Sequence, residues 1–358
     1  MDQRYRDYAR LILNHSLKVQ PGELVVISCD PISVSFGEVL AQEIVRSGAH
    51  FHFWFTSPAT TAVRLLEGTD DQLDYVTPCE RVLAECDCHI ALDAPHDYSF
   101  PKFDPERVNR RRRANACFKP LQEKRWVVAL LPTQHLADQM GITLAECESL
   151  VFQATVSADW GEMALRTMEI QQIFRSGSSV RIVSEGTDLR FSLPQHPGVA
   201  CVGRRNLPDG EHFFAPLHES VEGTVTFYDP QITPLGRVSG IRLTFKEGKV
   251  VEAAADEGQE VLDGILATDE GARYLGEFGI GVNPLIQRIV GSALFDEKIA
   301  GTVHLALGSA YAAAGGVNKS LVHWDLILDL RRGGVVYLDG RLVCLDGHWL
   351  AAAEQHVA

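Results

Sequence analysis

Pro21-Gly22-Glu23-Leu24-Val25-Val26-Ile27-Ser28 opens the pattern that decides the fold. A turn signal feeds a short apolar, largely β-branched run, too brief for a helix and suited to a strand covered on both faces. A helical pattern over residues 34–47 follows, closed by Gly48, and His50-Phe51-His52-Phe53-Trp54-Phe55 reads as the next strand. Upstream, residues 5–17 place Tyr8, Leu11, Ile12 and Leu17 near one helical face. Downstream the cycle repeats, with strands at Cys86-Asp87-Cys88-His89-Ile90-Ala91-Leu92 and Arg125-Trp126-Val127-Val128-Ala129-Leu130-Leu131-Pro132. Short apolar strands alternating with helices imply a parallel sheet. Such a sheet can hold a nucleotide at its switch point, but no G-x-G-x-x-G or G-x-x-x-x-G-K-[ST] follows any of these strands.

The texture changes at Ser176-Gly177-Ser178-Ser179. Beyond it, short strands are punctuated by turns at Ser184-Glu185-Gly186-Thr187, Asp209-Gly210, Lys246-Glu247-Gly248-Lys249 and Asp339-Gly340. Gly248 and Gly340 are expected to supply positive-φ turn positions of hairpins. One helix, over residues 257–268, interrupts this β-rich half. The reading is therefore an α/β domain with a parallel sheet over residues 1–176, followed by an α+β domain over 177–358 that carries the chemistry.

At 358 residues the chain is long enough for two cores. Its formal net charge of −14 argues against a nucleic-acid partner, which needs a basic face. The arginine run at 110–113 reads as a solvated helix start. No stretch approaches the roughly 20 uninterrupted apolar residues of a membrane span, and the first residues carry no apolar signal core, so a cytoplasmic location is expected. The eight cysteines, at positions 29, 79, 86, 88, 117, 147, 201 and 344, show no paired zinc-ligand spacing. They are expected as reduced, partly buried thiols.

Metal-competent side chains concentrate in four phrases of the second half. Pro208-Asp209-Gly210-Glu211 delivers a carboxylate from a turn to the start of an apolar strand. Leu275-Gly276-Glu277-Phe278-Gly279 sets Glu277 among small and apolar residues, where an unpaired carboxylate is costly. His304-Leu305-Ala306-Leu307-Gly308 is followed by Tyr311, and His323-Trp324-Asp325 closes the series. On a strand, residues i and i+2 face one side, so His323 and Asp325 project together while Trp324 turns into packing. Glu211, Glu277, His304, His323 and Asp325 together mix carboxylate and imidazole without thiolate, a donor set for zinc, cobalt or manganese. Three carboxylates exceed the need of one catalytic ion. The surplus points to two ions about 3.5–4 Å apart, sharing a water whose pKa is lowered toward neutrality. His89, His96, His135, His212 and His218 read as structural.

The same phrases resemble the thermophilic metalloaminopeptidase family, the aminopeptidase T and aminopeptidase S group. The similarity also includes Val19-Gln20-Pro21-Gly22-Glu23, Leu136-Ala137-Asp138-Gln139-Met140-Gly141, Asp159-Trp160, Gly186-Thr187-Asp188-Leu189, Ser220-Val221-Glu222-Gly223 and Phe295-Asp296-Glu297. What the resemblance implies is a dinuclear exopeptidase that removes N-terminal residues from peptides, usually as a homodimer. It places the family's metal ligands on Glu211, Glu277, His304, His323 and Asp325, and its active-site tyrosine on Tyr311. Glu297 lies in a matching phrase and is a candidate base or a support for the ligands. The segment between Tyr311 and His323 is compressed relative to well-known members, which bears on the cleft and the dimer contact.

Two other readings stand beside it. A ring-opening dioxygenase of the dihydroxypyridine type would use one iron held by two histidines and an aspartate, with His323 and Asp325 among them. That pattern calls for histidine at position 277, where this chain has Glu277. A non-catalytic metal-binding protein would have no need of all five ligand-type residues.

Overall fold

The computed structural model describes residues 2–76, 81–96, 103–115, 124–233 and 236–350. The chain divides into two compact units, Met1–Ala158 with Gly203–Asp209, and Asp159–Val202 with Gly210–Ala358.

The first unit is built on the expected parallel sheet. Its spatial order is His50–Phe55, Leu24–Cys29, Cys88–Asp93, Arg125–Leu130 and Asn206–Leu207, every neighbour running parallel. Val25, Val26, Ile27, Ile90 and Val127 have no exposed surface, as strands covered on both faces require. The edge strand is the exception, with Phe51 and Phe55 exposed. The helix Gln3–Leu11 continues through a wider turn over Ile12–Ser16 and buries Tyr8, Ile12 and Leu17. Tyr8 stacks on Phe36, and its hydroxyl lies 3.1 Å from the Leu130 carbonyl and 3.2 Å from that of Leu207.

The arginine run differs from its expected solvated role. On the helix Pro105–Asn115, Arg110 grips both oxygens of Asp74, and Arg111 donates to the carbonyls of Leu73 and Tyr75. Arg107 donates to Leu65 and Gly68. Arg107 and Arg111 thus satisfy carbonyls left over where two helices, Pro58–Glu67 and Asp70–Asp74, end. Cys29, Cys86, Cys88, Cys147 and Cys344 are free thiols, while Cys79 and Cys117 lie outside the described residues.

The second unit is antiparallel. An eight-stranded sheet runs in the order Lys249–Ala254, Ile241–Lys246, Glu222–Phe227, Thr187–Ser192, Ser179–Ser184, Val335–Leu338, Arg341–Leu345, His348–Trp349. The two expected hairpins are present. Glu247 (φ 50°) with Gly248 (φ 81°), and Asp339 (φ 49°) with Gly340 (φ 79°), are both left-handed pairs, the type I′ geometry that matches strand twist. The expected helix at 257–268 is Gln259–Leu266.

A five-stranded sheet runs in the order His323–Asp329, Thr302–Gly308, Leu275–Gly281, Glu211–Phe214, Val199–Cys201. One of its faces is apolar. Phe278 has no exposed surface and lies 5.1 Å, ring to ring, from Phe191 of the larger sheet, with Phe174 and Phe214 beside it.

The expected division at residue 176 differs from these units. The helix Trp160–Phe174 belongs with the second, because Phe174 packs on Phe214, Phe278 and Trp349. The Ser-Gly-rich stretch at 176–179 marks the end of that helix. Conversely, residues 203–209 return to the first unit to add the short strand Asn206–Leu207.

Candidate metal centre

The second face of the five-stranded sheet gathers the five residues singled out by sequence. Glu211 begins one strand, Glu277 lies in the next, His304 in the third, and His323 and Asp325 in the fourth. Trp324 is buried on the opposite side, as the alternation requires.

Cross-strand register explains how so many polar groups fit. Glu211 stands opposite Gly281, His304 opposite Gly279, Asp325 opposite Ala306 and His323 opposite Gly308. Glu277 also faces Ala306, where the ladder shifts register. Each polar group thus has, on one neighbouring strand, a residue with little or no side chain opposite it. A Cβ at Gly279 would come within 1.9 Å of His304 Nε2, so the imidazole occupies the volume that glycine leaves. The phrase Gly276-Glu277-Phe278-Gly279-Ile280-Gly281 is a two-faced strand, small or acidic on one side and apolar on the other.

The side chains form a connected chain of contacts. His304 Nε2 lies 3.1 Å from Glu277 Oε1 and 3.3 Å from Glu211 Oε2. His323 Nε2 lies 3.6 Å from Asp325 Oδ2 and 4.0 Å from Glu277 Oε2, and its Nδ1 contacts the Ser309 carbonyl at 2.9 Å. Of the groups that place one donor atom from each residue within 4.8 Å of one another, two gather here: Glu211, Glu297 and His304, and Glu277, His323 and Asp325. Glu297 is thereby brought to the same centre. Tyr311 stands at its rim, 47% exposed, with its ring edge-on to His323 at 5.2 Å and tilted on Phe213 at 5.5 Å.

Sequence reasoning missed Lys298. Its Nζ is fully buried, 2.7 Å from Glu211 Oε1 and 2.5 Å from Glu297 Oε1. No pattern in the sequence marks it, because Lys298 lies in the turn beyond the short helix Ala293–Asp296. Asp296, also missed, accepts from the backbone of Val290 and Gly291 and so ties down the loop ahead of Glu297.

Electrostatically the centre is a crowd of acids. Burial pushes Glu277 up to about 7, against the pull of its hydrogen bond with His304. Burial alone would lower His304, but the Glu277 hydrogen bond and the charges of Glu211 and Asp325 outweigh it and raise the imidazole to about 9. Asp325 is raised by burial and then by Glu297. For His323 the penalty of burial is overcome by Asp325 and Glu277, and its pKa is raised.

These residues fit divalent cations. Glu211 Oε2, Glu277 Oε2, Asp325 Oδ1 and His304 Nδ1 are buried without a hydrogen-bond partner, which in a native protein calls for an explanation such as an ion. The donors are oxygen and imidazole with no thiolate, as zinc, cobalt and manganese accept.

The segment between Tyr311 and His323 is tied by hydrogen bonds to residues outside it. Asn318 donates to the carbonyls of Gly308 and Gly271, and Asp269 accepts from Ser320 and from the backbone of Leu321. His212, read as structural, is buried with Nε2 2.9 Å from the Pro197 carbonyl, and burial lowers it to about 4.

Comparison with known proteins gives a consistent picture. The sequence profile of the thermophilic metalloprotease (M29) family matches residues 1–340. Aminopeptidase PepS of Streptococcus thermophilus is 25% identical, the match covering 96% of this chain and 97% of that protein. Aminopeptidase T of Thermus thermophilus is 29% identical, again over 96% of this chain and 97% of the relative. The solved structure of wild-type AmpT from Thermus thermophilus superposes with a TM-score of 0.81 at 26% identity, covering 98% of this chain and 99% of that one.

Proposed function

Since the chain belongs to the thermophilic metalloprotease (M29) family, we propose that it is an aminopeptidase releasing N-terminal residues from peptides at a two-metal centre. The observation that carries this is the pair of three-residue donor groups, five of whose six members stand on one sheet face. Glu211, Glu297 and His304 would hold one divalent ion, and Glu277, His323 and Asp325 a second. Zinc, cobalt and manganese suit these donors. When bound, such a pair polarises the scissile carbonyl and lowers the pKa of the attacking water.

The chain's own residues do the rest. Glu277 lies between the two histidines, 3.1 Å from His304 and 4.0 Å from His323, and so links the two groups. Tyr311, open to solvent at the rim, offers its hydroxyl as a donor to the carbonyl oxygen as charge develops there. Glu297, held by Lys298 beside Glu211 and His304, would serve as a carboxylate ligand of the first ion. The apolar reverse face fixes the strands so that these groups need little rearrangement.

The test is release of a chromogenic amine from leucine and arginine anilides with added cobalt, by the wild type and by Glu277→Ala. Loss of a ligand should lower kcat/KM by about 10²-fold or more, since even removing a ligand's supporting partner costs 10–100-fold. No metal-dependent release by the wild type across a broad panel overturns the peptidase reading. Metal analysis separates the alternatives, about two divalent ions per chain against a single iron for a ring-cleaving dioxygenase. The family and the relatives lend that dioxygenase no support. Among the described residues no helix is long and apolar enough to cross a membrane. The homodimer expected from the resemblance is checked by sedimentation.

A further inference from the structure

The two groups of donors differ in one respect. Lys298 sits against the first, its ammonium bridging Glu211 Oε1 and Glu297 Oε1 with no exposed surface. In the second, among the described residues, Glu277 and Asp325 make their ion pairs with imidazoles, those of His304 and His323, and Lys298 reaches Asp325 only as a more distant charge. We propose that Lys298 is a positioning residue that makes the two metal positions unequal, and this rests on the reading that these groups hold metal.

Two physical effects act together. The ammonium occupies one oxygen of each carboxylate, which leaves Glu211 and Glu297 one oxygen each for the cation position they share with His304. It also fixes a full positive charge beside that position in a water-poor interior, where charge repulsion is much stronger than in water. The position of Glu277, His323 and Asp325 therefore fills first and holds its ion. The position of Glu211, Glu297 and His304 fills second and exchanges readily. Both oxygens of a glutamate can chelate one ion when nothing else claims them. Lys298 prevents that, giving up affinity in return for one defined geometry.

The test is calorimetric titration of the metal-stripped full chain with Zn²⁺ alone and, in parallel, Co²⁺ followed by its visible absorption. The wild type should take up two ions in steps at least tenfold apart in affinity. In Lys298→Met, similar in length but uncharged, the weaker step should strengthen tenfold or more so that the steps converge. The cobalt spectrum of the second ion should change, and kcat on the leucine anilide should fall. Lys298→Arg should keep the two steps apart. If Lys298→Met does not fold, Lys298→Gln, which retains a hydrogen-bond donor without the charge, should show the same convergence. A lysine that merely props up the fold would instead weaken both steps together and lower the melting temperature. That result, or equal steps in the wild type, overturns the inference and leaves the two-metal reading standing. A chain that takes up no metal overturns the reading itself.

Discussion

Glu277 and His304 share a buried 3.1 Å contact, and both hold their protons beyond the ordinary range. Glu277 is raised from 4.5 to about 7, so between those values the folded chain keeps a proton that the unfolded chain has lost. His304 is raised from 6.5 to about 9, so its contribution is complete below 6.5 and disappears as the pH climbs through 9. The signs agree. The melting temperature of metal-stripped protein should fall as pH rises from about 5 to 9. Metal must displace the same protons, so its apparent affinity should climb over that range. Titrations in two buffers of different ionisation heat should count the protons released. Tyr311 gives a second prediction at this scale. Replacing it with phenylalanine should lower kcat about 10²-fold, the usual worth of one donor to a developing oxyanion, while the melting curve stays unchanged because the side chain is half-exposed. The residues themselves were legible because strand alternation places His323 with Asp325 and isolates Glu277 among apolar neighbours. Lys298 was not, because its meaning comes from Glu211, which it meets from far along the chain.

Strands explain why the site has room. The alternation along each strand can be read in sequence, but what stands opposite on the neighbouring strand is a non-local fact fixed by register. The glycines at 279, 281 and 308 each face one of the polar groups, which no single strand reveals. Gly279→Ala is the sharpest test. The added methyl would lie 1.9 Å from His304 Nε2, so the imidazole must move. Overpacking of this kind costs about 1–3 kcal/mol. The variant should lose metal at the His304 position in addition to melting earlier, as seen by metal analysis and calorimetry. Gly281→Ala meets the Ile299 carbonyl instead and should melt earlier as well. The hairpin turns were more transparent, because residues 247–248 and 339–340 carry their own left-handed backbone signal.

For the whole molecule, the class of each half was readable from the rhythm of strands and helices, but the seam between them was not. A serine- and glycine-rich stretch looks the same at a domain edge as at the end of a helix. A two-residue strand, Asn206–Leu207, is too short to show any periodicity. Phe278 joins the two large sheets of the second unit, and Phe278→Ala should cost about 3–5 kcal/mol, read as a lowered melting temperature of that unit. A fragment ending at Ala158 should be poorly behaved. Its Arg125–Leu130 strand loses a partner, and the Ser16 hydroxyl loses the Gly203 carbonyl. Grafting residues 203–209 onto that fragment by a short linker should restore a cooperative melt and a monodisperse elution profile. The returning strand also bears on how the protein is born. A ribosome adding roughly 5–20 residues per second delivers the start of the second unit before the last strand of the first. For ~3–10 s at that pace the nascent parallel sheet waits with one edge unpaired, a natural point for a chaperone to act and a window that slow codons between residues 159 and 209 would widen.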